Sequence, residues 1–235
     1  MAALRISHDY EIQKVAIVDD GKSDAEIAEW QVKQAGFEPI PIHRSFKKIE
    51  DLVAFIKSEA QGALCVHRLS RYGLPKFYGA KLVASLYDLK IPAVLITQYA
   101  NIDENVSIRR WREKIPVVLR HDEADAYTIR QGIEKCASEL QGDLPESRIP
   151  YRELLCITNI ENQSGEKVVD VIIPGWNPRQ AVRFPASLIP KELQDKLVPE
   201  TWFLAWINIG AEKDEDLYFR DFELAPEPDE DDGLA

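Results

Sequence analysis

The sequence has no apolar run approaching the ~18–20 residues that span a bilayer. Its first ten residues carry Arg5, His8 and Asp9 where a secretory leader would be apolar. The expectation is a cytoplasmic protein with no membrane partner. Cysteine is scarce: Cys65, Cys136 and Cys156 are odd in number, far apart and set among apolar neighbours. They read as reduced packing residues, not a disulfide frame or metal ligands. The turn after the first strand-like run holds only Gly21, so a glycine-rich phosphate loop is missing and dinucleotide or P-loop binding is unsupported. There is no G-x-S-x-G, no H-E-x-x-H and no paired C-x-x-C. No catalytic residue is assigned, and the chain is not expected to be an enzyme.

What is present suits a packed fold. The 235 residues are 45% hydrophobic and 29% charged, enough for one large domain or two small ones. The net charge of −11 is unevenly spread. Residues 1–142 hold 20 Lys+Arg and 20 Asp+Glu, whereas residues 143–235 hold 9 and 20. A polyanion would be repelled by that second part, so nucleic acid is not an expected partner.

Short apolar runs alternate with amphipathic stretches through the first 140 residues. Strands are expected at 14–20, 38–42, 62–67, 92–97 and 116–120. Helices are expected at roughly 24–35, 104–113 and 126–140, and around Ile49/Leu52/Val53/Ile56 and Gly79/Leu82/Val83/Leu86, which recur at helical spacing. Repeated β-α units imply a parallel sheet covered on both faces, with right-handed connections that bring the C-terminal strand ends to one edge. In such sheets the functional crevice lies at that edge. The domains are expected at 12–141, with a Pro- and Gly-containing linker at 142–150, a β-rich, barrel-like domain at 151–224 and an acidic, disordered tail at 225–235. Trp202, Trp206, Phe219 and Phe222 read chiefly as a core stripe of the second domain, with a ligand-stacking platform as the alternative.

The strand-end residues form a pattern. Asp19-Asp20 follow the first strand, His67 the third, Thr97 the fourth and Arg120 the fifth. In VAIVDD, ALCVHRLS, PAVLITQYA and PVVLRHDE, residues 14–140 resemble the receiver domain of bacterial two-component response regulators. The resemblance implies a flavodoxin-like five-stranded parallel sheet, an acidic pair (Asp19, Asp20) that would hold Mg²⁺, and a switch residue at Thr97. It also implies a lysine where Arg120 stands and a phospho-accepting aspartate where His67 stands. Receiver chemistry needs a carboxylate that attacks phosphorus while ligating the metal. His67 supplies no hard oxygen, and Arg120 replaces a flexible point charge by a planar fork.

The resemblance therefore implies a pseudo-receiver that has the scaffold without the reaction. The expected function is a signalling adaptor acting through an unidentified protein partner and through homodimerisation, with no cofactor; Mg²⁺ at Asp19 and Asp20 is the sole metal considered. As a bland alternative, His67 is a surface residue or an edge histidine bonded to Asp19 or Asp20. A second reading is a sensor for an anionic ligand or nucleotide at His43, Arg44, Arg68 and Arg71, joined by Lys47, Lys48, Lys76, Arg109, Arg110 and Arg112, although this set also suits a solvated surface. A third is a metal-dependent hydrolase or nuclease built on Asp19, Asp20 and His67, with His43 or His121 as a further ligand. A fourth is phosphotransfer onto His67 itself.

Overall fold

The computed structural model describes residues 4–5, 11–19, 22–69, 79–97, 102–163 and 165–226. The chain divides into two compact units, Met1–Glu104 with Trp111–Pro145, and Asn105–Arg110 with Glu146–Ala235.

The first unit opens on a two-stranded antiparallel pair, β1 (Leu4–Arg5) and β2 (Glu11–Ile12). Its main sheet comprises β3 (Lys14–Val18), β4 (Glu38–Pro41), β5 (Gly62–Val66), β6 (Ala93–Thr97) and β7 (Val117–Arg120). The strand order is β4-β3-β5-β6-β7, all parallel. That is the doubly wound, flavodoxin-like order, in which the chain reverses direction between β3 and β5. The central strands are apolar throughout because both faces are covered: every residue of β6 is buried.

The helices follow the expected periodicity. They are α1 (Lys22–Gln34), α2 (Ile49–Glu59), α3 (Gly79–Asp88), α4 (Ile102–Arg109) and α5 (Ala126–Leu140). The α2 residues Ile49, Leu52, Val53 and Ile56 are all buried. On one side of the sheet Val32 of α1 and Ile129, Ile133 and Cys136 of α5 share a core with Val15, Ile17, Leu64 and Val94. Gly132 lets α5 approach closely, since a Cβ there would lie 2.9 Å from the Val94 side chain. Asp125 caps α5 by accepting a 2.8 Å hydrogen bond from the Thr128 amide.

The second unit is a five-stranded antiparallel sheet of β8 (Tyr151–Gln163), β9 (Glu166–Ile173), β10 (Asn177–Pro185), β11 (Trp202–Ile207) and β12 (Phe219–Leu224). The order is β10-β9-β8-β11-β12. Register shifts between Ile157 and Asn159, between Asn177 and Val182, and between Leu204 and Trp206 increase the local twist. The sheet curls enough that Phe184 of β10 lies 4.6 Å from Phe219 of β12, ring centre to ring centre, although these are the two end strands. The β-rich second domain expected from the sequence is thus an antiparallel, curled five-stranded sheet; among the described residues no ladder is recorded between β10 and β12.

Within the 142–150 stretch expected as a linker, Glu146–Arg148 form a single 3₁₀ turn that belongs to the second unit. The buried Asn208 side chain donates to the Ser147 carbonyl at 2.8 Å, and the Tyr218 hydroxyl donates to the Arg148 carbonyl at 2.8 Å. The last residues of α4 also group with this unit. There the buried Arg109 donates to the Asp214 carbonyl at 2.6 Å.

Candidate functional site

The strand-end residues meet at one edge of the parallel sheet, as right-handed crossovers require. Asp19 follows Val18, whose register partner is Cys65. His67 follows the Val66–Ile96 pair, and its amide donates to the Ile96 carbonyl at 2.8 Å. Thr97 is paired with Arg120. Asp19, His67, Thr97 and Arg120 thus close neighbouring strands at the same edge. Asp20 and Arg71 lie outside the described residues.

His67 departs from the surface reading: it is only 2% exposed. The cause lies twelve residues downstream, where the Gly79 amide donates to the His67 carbonyl at 2.7 Å and α3 starts hard against the strand end. A Cβ at Gly79 would sit 2.0 Å from the Val66 carbonyl oxygen, so only glycine permits this approach. Burial, reinforced by the neighbouring Arg68 charge, lowers the His67 pKa from 6.5 to about 4. The side chain is a neutral imidazole at pH 7. Thr97 is also buried, at 6% exposure. Cys65, one pair earlier on β5, is fully enclosed, and burial pushes its thiol well above the ordinary range, in keeping with an inert packing role.

The basic residues separate into different environments. Arg120 is exposed, and Nε and Nη2 donate to the two carboxylate oxygens of Asp122 at 3.1 and 2.9 Å. That bond holds the Asp122 carboxyl below its usual range. The Arg44 guanidinium lies 3.8 Å from the Phe55 ring centre and 4.7 Å from that of Phe46, so part of its work is cation–π packing. His43 and Arg68 are exposed. Arg109 and Arg112 are buried, and Arg110 is bonded to Glu166. Arg109 and Arg112 therefore fall outside the solvated surface that the sequence suggested, whereas Arg110 is exposed and paired with an acid, as that reading expects.

Mg²⁺ takes oxygen ligands in near-octahedral geometry; at this edge the described residues offer the Asp19 carboxylate and a buried imidazole, and Asp20 lies outside them. Among the described residues no group of three His, Cys, Asp or Glu side chains is placed to hold a metal ion.

Comparison with solved structures returns matches that cover a little over half of this chain. Three solved structures illustrate these matches. A response regulator receiver domain protein from Clostridium thermocellum is 12% identical, covering 56% of this chain and 99% of that one, with a TM-score of 0.43. A signal receiver domain of an HD domain-containing protein from Pseudomonas fluorescens Pf-5 is 14% identical, covering 59% and 98%, with a TM-score of 0.44. A CheY-like receiver domain protein from Methanospirillum hungatei JF-1 is 16% identical, covering 57% and 99%, with a TM-score of 0.41. The likeness is one of fold. No family model matches the chain, and no curated protein matches it. The assignment of a doubly wound, flavodoxin-like fold rests on the strand order and register described above.

Sequence reasoning missed the enclosure of His67, Arg109 and Arg112. Its core-stripe reading of the aromatic residues of the second unit holds for two of the four. Phe219 and Phe222 are core, while Trp202 is 44% exposed and Trp206 partly so, on the opposite sheet face. Strict alternation along WFLAWI carries that signal, because it gives the strand two apolar faces.

Proposed function

We propose that the first unit is a pseudo-receiver, a signalling module that has lost phosphoryl capture and works through protein–protein contact. The observation that carries the reading is the state of His67, a buried and neutral imidazole at the end of β5. Phosphoryl transfer in a receiver requires an oxygen nucleophile that also ligates Mg²⁺ and is open to a phosphodonor. An imidazole nitrogen enclosed to this extent meets neither condition. The packed sheet core is intact around it, which suits a module valued for its surface. Homodimerisation and a separate protein partner belong to the same proposal.

Incubation of the full chain with acetyl phosphate and Mg²⁺, followed by intact-mass analysis under conditions that preserve phosphohistidine and acyl phosphates, tests this. The expected result is an unmodified mass. A stoichiometric phosphoryl adduct, on His67 or any acidic residue, would overturn it. Light scattering across a concentration series tests the homodimer separately. A concentration-dependent dimer is expected, and a strict monomer at high concentration removes that part of the proposal.

A further inference from the structure

On the first unit, α2 and α3 pack against each other without filling the space between them. A groove of about 320 Å³ lies there. The α2 residues at 50, 53, 54 and 57 recur at i, i+3, i+4 and i+7 and so share one face of that helix. The floor is apolar, with Ile49 and Val53 both buried. Ala54 and Leu89, the residue that follows α3, add apolar surface at the walls, and Leu89 is 42% exposed.

Charge gives the groove a sign. Lys57 reaches it from α2 and Lys81 from α3, against the single lining acid Glu50. Both lysines are exposed, and neither is engaged in an ion pair among the described residues. Asp88, the acid at the end of α3, is held by Lys114 at 2.9 Å. Lys57 stands ~10 Å along α2 from Glu50 at the helical rise of ~1.5 Å per residue. That end of the groove therefore carries positive charge with no acid among its lining residues.

We infer that the α2–α3 groove docks an acidic amphipathic helix of a partner protein. The helix covers Val53, Ala54 and Leu89 with apolar side chains at i, i+3, i+4 and i+7, and its Asp or Glu residues face Lys57 and Lys81. A small molecule is a poorer occupant. Ala54, Lys57, Lys81 and Leu89 are all exposed, so the walls do not enclose the ~70–90% of a ligand's surface that a small-molecule site buries. This deepens the proposed adaptor role and rests on it for the class of partner. His67 does not line the groove, so a phosphoryl adduct would sink the pseudo-receiver reading while peptide binding is decided by a separate measurement.

The test uses the full chain and two labelled synthetic helical peptides of equal length. Both carry the same leucine stripe, bordered in one by Glu and in the other by Lys, and binding is followed by fluorescence anisotropy. The Glu peptide is expected to bind saturably and about tenfold more tightly than the Lys peptide. The chain has a net charge of −11, so non-specific attraction alone gives the opposite order. Lys57→Glu/Lys81→Glu, checked for an unchanged circular dichroism spectrum, loses about tenfold or more in affinity for the Glu peptide. Leu89→Ser, which keeps both lysines, also weakens binding and carries the test should the charge-reversed chain fail to fold. Lys33→Glu, at an exposed position of α1, leaves affinity unchanged. Equal or tighter binding of the Lys peptide, unchanged affinity in the double variant or in Leu89→Ser, or an equal loss in Lys33→Glu overturns the inference. So does a dimer of the parent chain that Lys57→Glu/Lys81→Glu dissociates, since the groove then holds a second copy.

Discussion

The two units treat their unusual side chains in opposite ways. At the strand ends of the parallel sheet, polar groups are drawn inside: His67 and Thr97 are buried. On the outer face of the antiparallel sheet, large apolar groups are turned outward: Trp202 and Leu154 are nearly half exposed. A buried imidazole costs solvation and leaves little access for a reactant. An exposed indole costs hydration that a partner would relieve. The comparison teaches that burial follows local packing more than residue type: a helix start encloses a polar strand end in one unit, while strand alternation leaves large apolar side chains in solvent in the other.

The sharpest way to probe the contrast is across the two faces of the second sheet. Phe184 is fully buried against Phe219 and Phe222. Phe184→Ala is expected to cost about 3–5 kcal/mol in denaturant unfolding. A loss below about 1 kcal/mol would mean that the curled core is not packed as described.

The next effect concerns the first unit and pH. The imidazole of His67 takes up its proton near 6.5 when the chain is unfolded but only at about 4 when folded. Below pH 6.5 the unfolded chain therefore binds the extra proton. Stability is unaffected above that pH and falls as pH drops, by about 3 kcal/mol on reaching pH 4. His67→Gln should remove this component, seen as a smaller separation between unfolding midpoints measured at pH 7 and pH 4. Parallel pH profiles for parent and variant would show that the imidazole is not enclosed.

A third, intermediate effect is expected at the polar pair that braces β9 against β10. Arg183 donates from Nε and Nη2 to the two oxygens of Asp170 at 2.6 and 2.7 Å, and that fork holds the Asp170 carboxyl below its usual range. Arg183→Ala should cost about 1–3 kcal/mol at neutral pH. The difference between parent and variant should shrink as pH falls through the Asp170 pKa, because the carboxylate that the fork stabilises is then protonated. A difference that persists in acid would show that the side chain acts through packing. The smallest effect belongs to the outward face: Leu154→Ser should stay within about 0.5 kcal/mol of the parent. A large loss there would place Leu154 in the core and erase the contrast between the faces.

The legibility of the sequence followed the same division. Elements of the first unit are set by local spacing, and Ile49, Leu52, Val53 and Ile56 or Ile129, Ile133 and Cys136 declare their faces without help from distant residues. The order of the strands follows once the connections are right-handed. The positions of Asp19, His67, Thr97 and Arg120 at one edge were therefore readable. Their burial was not, because it depends on where other elements press. His67 is enclosed by the start of α3 at Gly79, and Arg109 is drawn in by the carbonyl of Asp214, more than a hundred residues away. In the second unit, alternation alone would put Phe219 and Phe222 on opposite faces. They share the core because Asp221 adopts a left-handed backbone with φ of 52° and the β11–β12 register shifts alongside it. No pairwise spacing rule announces such a bulge.

The central claim is that the β5 strand end holds an enclosed, neutral imidazole incapable of accepting a phosphoryl group. Nitrogen-15 NMR of the chain labelled at its four histidines, titrated from pH 8 to pH 4 with and without acetyl phosphate and Mg²⁺, reads that group directly. The account predicts that the His67 resonances, assigned by their loss in His67→Gln, stay in the neutral form until about pH 4 and do not change when the phosphodonor is added. Titration near the ordinary value for histidine, or a phosphoryl-dependent shift of the His67 nitrogens, would contradict it.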